Sequence, residues 1–297
     1  MAGMQKVRNK TRVRSRNIIC MDRIDIKGVR LEVQDIMPPG AQAGLAPLVF
    51  LHEGLGSIAM WRDWPAQLCA ATGRAGWVYS RRGYGQSDAV PDVRGPSREE
   101  GGQRAGRLRP DYMHEEAWAV LPALLAALGI EKPVLVGHSD GGSIALLYAS
   151  RFDVAACVVM APHVIVEDLS IAAIQQARVA YEQGDLRSRL ARYHADVDGA
   201  FWQWNDVWLS DEFRSFDIRE NCRGINAPLL AIQGFDDPYG TMLQIDEIAK
   251  TLKKIGLMPS KNIAIQLQKI EHCGHSPHRD QTEITTRCIV DFVHDLE

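Results

Sequence analysis

The segment that decides the fold reads Lys132-Pro-Val-Leu-Val-Gly-His-Ser-Asp-Gly-Gly-Ser-Ile-Ala-Leu-Leu-Tyr148. Its apolar start, Val134 to Val136, predicts a short buried strand, and the apolar residues after Gly141 share one face of a helix. Between strand and helix, Gly137 to Gly141 has the G-x-S-x-G pattern of a nucleophile elbow. Such a turn lifts the central hydroxyl, here that of Ser139, above the edge of a sheet.

The same five residues could also form a plain strand-to-helix turn in which the serine caps the helix. The flanking strand and helix favour the elbow, because its serine takes strained backbone angles and its glycines lie where side chains would collide. The helix that follows directs free backbone N–H groups toward any negative charge that develops near Ser139.

Composition limits the class of protein. The 297 residues, 46% hydrophobic and 24% charged, suit one large domain or a domain with an insertion. A net charge of -3 favours neither nucleic acid nor an anionic membrane as partner. No apolar run reaches the roughly 18 residues of a membrane-spanning helix. The six cysteines form no C-x-x-C pair, so we expect reduced thiols and a cytoplasmic protein.

The N-terminal segment is strongly basic. Its first 16 residues contain six lysines and arginines, no acid, and no apolar stretch typical of a secretory signal. We expect residues 1–19 to be a disordered extension. A transit peptide, a basic arm or a biological start at Met21 are the alternatives.

Strand and helix patterns alternate along most of the remaining chain. The predicted strands are 20–26, 29–35, 47–52, 76–80, 134–136, 156–160, 228–233 and 263–267, and the main predicted helices are 61–71, 114–128 and 282–294. This alternation predicts an α/β fold, a mostly parallel sheet with helices on both faces. A helical stretch interrupts it after the sixth strand, so we expect a core of 20–162 and 227–297 and a helical cap of 163–226. Residues 91–110 predict a long surface loop.

An activated serine needs a base and an acid that orients the base. Histidine suits the first role, because its pKa lies near neutrality. Candidates follow the last two strands: Asp236 and Asp237 come after the strand at 228–233, and His275 comes after the strand at 263–267. This order, serine then acid then histidine, is the one expected after an elbow.

These motifs together resemble the α/β-hydrolase family, from about Cys20 to the C-terminus. Gly274-His-Ser-Pro277 is similar to the family's G-H-x-P pattern, and Arg82-Gly-Tyr-Gly-Gln-Ser87 to its R-G-x-G-x-S turn. The resemblance implies an eight-stranded α/β-hydrolase fold with Ser139 as nucleophile, Asp237 as acid and His275 as base. The reaction that this resemblance implies requires no cofactor and no metal.

Two alternatives stay open at single positions. Asp236, or more remotely Asp168, could replace Asp237 as the acid. His272, Cys273, His275 and His278 lie within seven residues and could form a metal site. The resemblance already gives His275 of this loop a role as the base, which favours the interpretation without a metal.

The oxyanion hole needs two backbone N–H donors. The family resemblance assigns them to Asp140 and to Gly54, with Leu55 as the fallback. Glu53 departs from the family's H-G-x pattern, since glutamate stands where glycine is usual. Its side chain could pair with Arg81 or Arg82, or face the pocket.

Substrate contacts are expected from the cap. Phe201, Trp204 and Trp208 share one helical face that predicts the cap core, while Trp202 points elsewhere. We expect Trp202, Trp208 and His163 to contribute to a largely apolar substrate pocket. Asp140 could bind a substrate ammonium group, as its elbow resembles that of biphenyl-hydrolase-like members, or it could be paired with an arginine.

The sequence thus predicts a serine hydrolase that cleaves carboxylic esters of small to medium, partly hydrophobic molecules through an acyl-enzyme. Carbon–carbon bond hydrolysis of ring-cleavage products and an amino-acid ester hydrolase or aminopeptidase-like activity are the enzymatic alternatives. A small-molecule receptor that retains the triad is the non-enzymatic one. The expected partner is a small-molecule ester, and the sequence leaves the oligomeric state open.

Overall fold

The computed structural model describes residues 20–91, 93, 108–253 and 264–296. The predicted extension 1–19 and most of the predicted loop 91–110 lie outside these described residues. The strands are β1 Cys20–Ile26, β2 Val29–Ile36, β3 Leu48–Leu51, β4 Gly76–Ser80, β5 Val134–His138, β6 Ala156–Met160, β7 Leu229–Gly234 and β8 Ile265–Ile270.

These strands form one eight-stranded sheet in the order β1-β2-β4-β3-β5-β6-β7-β8. β1 pairs antiparallel with β2, and β2 antiparallel with β4. Every pairing from β4 to β8 is parallel. The prediction of a mostly parallel eight-stranded sheet is confirmed. The carboxyl ends of β3, β5, β6, β7 and β8 consequently share one edge, which is where such sheets bind ligands.

Helices connect the strands. They are α1 Ile58–Trp61, α2 Trp64–Thr72, α3 Tyr112–Glu115, α4 Leu121–Leu128, α5 Asp140–Ala149, α6 Asp168–Gln183, α7 Leu186–Leu190, α8 Val197–Trp208, α9 Arg219–Cys222, α10 Leu243–Lys253, α11 Pro277–Asp280 and α12 Thr282–His294. A π-helical turn, Glu116–Val120, joins α3 to α4, and a 3₁₀ turn, Glu212–Ser215, precedes α9.

Several predicted elements have different bounds in the structure. The helix predicted from Trp61 to Ala71 is two helices, because Arg62 takes a φ of 55° and breaks the hydrogen-bonded run. The helix predicted from His114 begins at Tyr112. The last strand extends to Ile270, beyond its predicted end. The predicted start of that strand, at 263, lies outside the described residues.

The sheet separates two apolar cores. Successive side chains of a strand point to opposite faces, so Leu135 of β5 packs in one core while Val134 and Val136 pack in the other. The first core extends to Phe201 of α8, and the second includes Phe292 of α12. Both faces of β5 are therefore buried, as its continuous apolar sequence predicted.

The helical insertion between β6 and β7, α6 to α9, packs on the loops at the carboxyl edge of the sheet. His194 accepts the Gly85 N–H through Nδ1 and donates from Nε2 to the Leu55 carbonyl, each at 3.0 Å. Gln203 of α8 packs against Gly83, where a Cβ would overlap its side-chain amide. The insertion is thus attached to the turn after β4 and to the loop after β3.

Candidate active site

Ser139 lies in the sharp turn between β5 and α5. Its φ of 54° and ψ of -119° belong to a backbone region that residues other than glycine seldom adopt. The turn is tight enough that a Cβ at Gly137 would overlap the Gly141 carbonyl, and a Cβ at Gly141 would overlap the Leu51 carbonyl. These contacts explain why the elbow sequence needs glycine on both sides of the serine.

Ser139, His275 and Asp237 come together at this turn. His275 Nε2 lies 2.9 Å from Ser139 Oγ, and its Nδ1 lies 2.9 Å from each Asp237 oxygen. Asp237 follows β7 and His275 follows β8, so the shared carboxyl edge of the sheet brings residues 136 and 38 positions apart into contact. The imidazole can accept the serine proton while the carboxylate orients it.

The Asp237 carboxylate is buried and held by three neighbours. Gln233 Nε2 donates to Oδ2 and the Tyr239 N–H donates to Oδ1, both at 2.8 Å. Burial alone would raise the pKa of Asp237, but the hydrogen bonds and charge of His275, with the Tyr239 N–H, lower it below its ordinary value. The carboxylate therefore stays ionised beside the imidazole.

The two alternative acids lie elsewhere. Asp236 is exposed, and its backbone N–H donates to the Cys273 carbonyl. Asp168 is fully exposed at the start of α6, 3.9 Å from Arg214. Among the three candidates, Asp237 is the one whose carboxylate contacts His275.

The histidines of the loop after β8 occupy different surroundings. His278 is buried against the Trp61 and Trp64 rings, at centroid distances of 4.8 and 5.2 Å, and its pKa is well below the ordinary value because of burial. His275 is engaged with Ser139 and Asp237. Within the described part of the chain, no group of three or more His, Cys, Asp or Glu side chains is arranged to hold a metal ion.

Two segments that line the pocket of Ser139, the start of α5 and the loop after β3, carry backbone N–H groups that their own helix or turn does not use. Asp140 is the first residue of α5, where an N–H has no partner within the helix. Gly54 is the second residue of a turn closed by the Gly56 N–H and the Glu53 carbonyl at 3.0 Å. In such a turn the N–H groups of the two central residues, Gly54 and Leu55, take no part in the closing bond. Gly54, Leu55 and Asp140 all line the pocket of Ser139.

Of the two alternatives for Glu53, pairing of its side chain with Arg81 or Arg82 is wrong, whereas the residue does line the pocket of Ser139. Its Oε1 lies 3.3 Å from the Arg279 guanidinium and its Oε2 lies 3.5 Å from His138 Nδ1. Burial would raise the pKa of Glu53, but His138 and Arg279 lower it well below the ordinary value. Arg279 is 226 residues away in the chain, so only the fold could reveal it.

The Asp140 side chain is enclosed rather than free to meet an ammonium group. It is 1% exposed, accepts the Tyr112 hydroxyl at 2.5 Å, and lies 3.7 Å from the Arg81 guanidinium. Burial raises its pKa, although Arg81 and Tyr112 oppose that effect. The arginine pairing that the sequence left open is the arrangement found. Tyr112 had no role in the sequence analysis, because nothing in its local pattern connects it to the elbow.

The pocket at Ser139 encloses about 220 Å³. Its apolar walls come from the helical insertion and neighbouring loops, and they include Ile174, Trp204, Trp208, Leu55 and Tyr239. The expectation that Trp202 lines this pocket is wrong. Its ring packs on the Tyr181 and Phe201 rings, at 5.4 and 4.8 Å. Trp204, expected in the cap core, lines the pocket instead, with its indole directly over Gly54.

His163 follows β6 and also lines the pocket. Its ring is buried, 4.9 Å from the Trp208 ring and 5.9 Å from the His275 ring. Burial, reinforced by the neighbouring His275, lowers its pKa to about 3. It therefore offers a neutral imidazole to the pocket at neutral pH.

Comparison with known proteins agrees with this architecture. The profile of the alpha/beta hydrolase family matches residues 48–286. The chain therefore belongs to the alpha/beta hydrolase family and is a hydrolase. No sequence among the curated proteins matches it. No helix in the described ranges is long and apolar enough to cross a membrane.

Three solved structures illustrate the shared fold. A carboxylesterase of Nitrososphaera gargenis is 19% identical with a TM-score of 0.66, covering 93% of this chain and 98% of its own. The enol-lactonase of Burkholderia xenovorans is 19% identical with a TM-score of 0.65, covering 92% and 100%. The proline iminopeptidase of Mycobacterium smegmatis is 19% identical with a TM-score of 0.64, covering 93% and 98%.

Proposed function

We propose that the protein is a serine hydrolase that cleaves carboxylic esters of small to medium, partly hydrophobic molecules. The observation that carries the proposal is the chain of contacts from Ser139 Oγ to His275 and on to Asp237, each 2.9 Å. Nucleophile, base and orienting acid are all within hydrogen-bond distance, which is the arrangement that acyl transfer requires. Esterases and a lactonase among proteins of the same fold support this class.

In the proposed mechanism, Ser139 Oγ attacks the ester carbonyl carbon while His275 Nε2 takes its proton. Asp237 holds the imidazole in orientation and stabilises the imidazolium. The N–H groups of Gly54 and Asp140 donate to the carbonyl oxygen as it becomes negative. His275 then protonates the leaving alcohol, and the carbonyl re-forms as an acyl-enzyme. Water attacks that intermediate by the same route, which releases the acid and restores Ser139.

The helical insertion serves in this proposal as the cap, residues 163–226, and it determines specificity. Trp204, Trp208 and His163 line the pocket from this segment. A volume of about 220 Å³ is small beside the ~300–1,000 Å³ of most ligand sites. We therefore expect esters with short or compact acyl groups to be preferred. The hydrogen-bonding capacity of neutral His163 favours an acyl or alcohol part that carries one polar group.

The test combines covalent labelling with a substrate panel. A fluorophosphonate probe should label the protein at Ser139, and Ser139→Ala should abolish labelling and lower kcat by several orders of magnitude without lowering the melting temperature. Aryl acetate and butyrate should be turned over many times per enzyme, and aryl decanoate much more slowly. Near-normal turnover by Ser139→Ala would exclude the mechanism.

The same panel separates the alternatives. Turnover of a ring-cleavage dienoate but not of esters would indicate carbon–carbon bond hydrolysis. Turnover of aminoacyl amides would indicate an aminopeptidase-like enzyme. The enclosure of the Asp140 carboxylate by Tyr112 and Arg81 argues against recognition of a substrate amine at that position. A single slow turnover, with ligand-dependent binding of a protein partner, would indicate a receptor.

A further inference from the structure

Arg81 is a buried cation that contacts both segments of the proposed oxyanion hole. It follows β4 and is 4% exposed. Its guanidinium donates to the His52 carbonyl at 2.5 Å and to the Glu53 carbonyl at 3.0 Å. Those two carbonyls belong to the loop that carries Gly54. The same guanidinium lies 3.7 Å from the Asp140 carboxylate, on the first residue of α5.

The backbone of Arg81 adds a further contact to the loop after β3. Its N–H donates to His52 Nε2 at 3.0 Å, while His52 Nδ1 donates to the Glu53 carbonyl at 2.7 Å. His52 is thus held between the turn after β4 and the loop after β3. Burial lowers its pKa well below the ordinary value, and the Arg81 charge adds to this effect. The neutral ring can therefore keep Nε2 as an acceptor.

We propose that Arg81 is a positioning residue that sets the separation of the Gly54 and Asp140 N–H groups, and that it neutralises the Asp140 carboxylate beside the oxyanion. The inference rests on the proposed function, because it assigns those two N–H groups to the oxyanion hole. The planar guanidinium has several donors in fixed directions, so it can hold two carbonyls and a carboxylate in one arrangement. A lysine ammonium is a single point charge and cannot span all three oxygens.

The neutralising role follows from charge. An unpaired Asp140 carboxylate, one residue from Ser139, would repel the negative oxygen that forms during acyl transfer. Arg81 and the Tyr112 hydroxyl both contact its Oδ2. The Tyr112 hydroxyl itself accepts the Trp208 indole N–H at 3.1 Å. Tyr112 and Trp208 thereby help to hold the carboxylate in its position against Arg81.

A second cavity gives experimental access to this contact. Arg81 borders a space of about 460 Å³ that is also lined by Tyr84, Tyr112, Glu116 and Arg109. A small guanidinium ion could therefore enter from this side in a variant that lacks the Arg81 side chain. Arg109 provides the matched control, because it lines the same cavity but is 61% exposed and paired with Asp111.

The experiment compares Arg81→Ala, Arg81→Lys and Arg109→Ala with the unmodified chain on an aryl acetate. Arg81→Ala should lower kcat about 100-fold while KM changes less than about threefold, since a misplaced donor weakens transition-state stabilisation more than binding. Millimolar methylguanidinium should raise the kcat of Arg81→Ala at least tenfold. Tetramethylammonium at equal ionic strength should leave that kcat unchanged. Arg81→Lys should stay folded, with a modestly lower melting temperature because at least one buried oxygen loses its donor, and it should still lose at least tenfold in kcat. Arg109→Ala should keep the kcat of the unmodified chain, and methylguanidinium should not change it.

A readout independent of turnover keeps the two proposals separable. With selective ¹⁵N labelling, the Gly54 and Asp140 amide resonances should shift in both Arg81 variants and return toward their original positions when methylguanidinium rescues Arg81→Ala. Full kcat and unshifted amides in Arg81→Lys would overturn the positioning role. If the unmodified chain hydrolysed no ester at all, the proposed function would fail, and the amide shifts would still decide whether Arg81 sets the two N–H groups. Should Arg81→Ala fail to fold, the lysine variant carries the test alone.

Discussion

Gly54→Ala tests the close contact between the helical insertion and the loop after β3 that carries the Gly54 N–H. Any Cβ at residue 54 would overlap the Nε1 and Cδ1 atoms of the Trp204 indole. Trp204 is 6% exposed and packed edge-on against the Phe201 ring at 6.0 Å, so the indole has little room to retreat. Restoring ordinary van der Waals contact requires a displacement of roughly 1.5 Å, shared between the loop and the indole.

That displacement should affect both stability and rate. Overpacking a well-filled site costs about 1–3 kcal/mol of unfolding free energy. If the loop moves, the Gly54 N–H moves with it, and a misplacement of about 1 Å at a reacting centre costs on the order of 100-fold in rate. We therefore expect Gly54→Ala to lose roughly 100-fold in kcat with little change in KM.

A double-mutant cycle locates the cause. Trp204→Leu leaves space for the added methyl group, so the double variant Gly54→Ala/Trp204→Leu should recover at least tenfold in kcat relative to Gly54→Ala alone. Trp208→Leu is the matched control, because that indole lines the same pocket but donates to Tyr112. Its effect should be additive with Gly54→Ala. Steady-state kinetics on an aryl acetate and urea unfolding measure both quantities. Unimpaired kcat in Gly54→Ala, or equal recovery by both leucine variants, would refute the steric argument.

Three further predictions follow from the site. Asp237→Asn should lower kcat by about 10⁴-fold, because the amide no longer selects the histidine tautomer that accepts the serine proton; a loss below tenfold in steady-state assays would contradict this role. Trp204→Ala should extend activity toward longer acyl esters while Trp202→Ala leaves the chain-length profile unchanged, and a shift in both profiles would contradict the assignment of the pocket wall. Unfolding free energy should be fully retained above pH 6.5 and fall below it, since the unfolded chain protonates histidines near that pH whereas folded histidines with lowered pKa values stay neutral. Each such group contributes up to about 1.4 kcal/mol per pH unit. The histidines concerned are His52, His114, His163, His194 and His278. Equal free energies of unfolding in urea at pH 7.5 and 5.5 would disprove this prediction.

The order of elements and the elbow were accessible from the sequence because both depend on local patterns. Gly137, Ser139 and Gly141 specify a tight turn through steric demands that a few neighbouring residues impose. Asp237 and His275 could be expected near Ser139, because each follows a strand of the predicted parallel sheet and such strands end at one edge. The three side chains do meet in the structure, and their catalytic roles stay a prediction.

Side-chain direction and long-range pairing depended on tertiary structure. The helical period placed Trp202 and Trp204 on different faces, but which face met the pocket depended on how α8 packs on the loop after β3. Glu53 contacts Arg279, and Asp140 contacts Tyr112, although these partners are 226 and 28 residues apart in the chain. No local sequence pattern encodes such contacts. A buried charge without a partner is strongly destabilising, so its partner must be a group that the fold places beside it. The local sequence therefore determined the turn that presents the hydroxyl, and only the packing of distant segments decided which groups surround it.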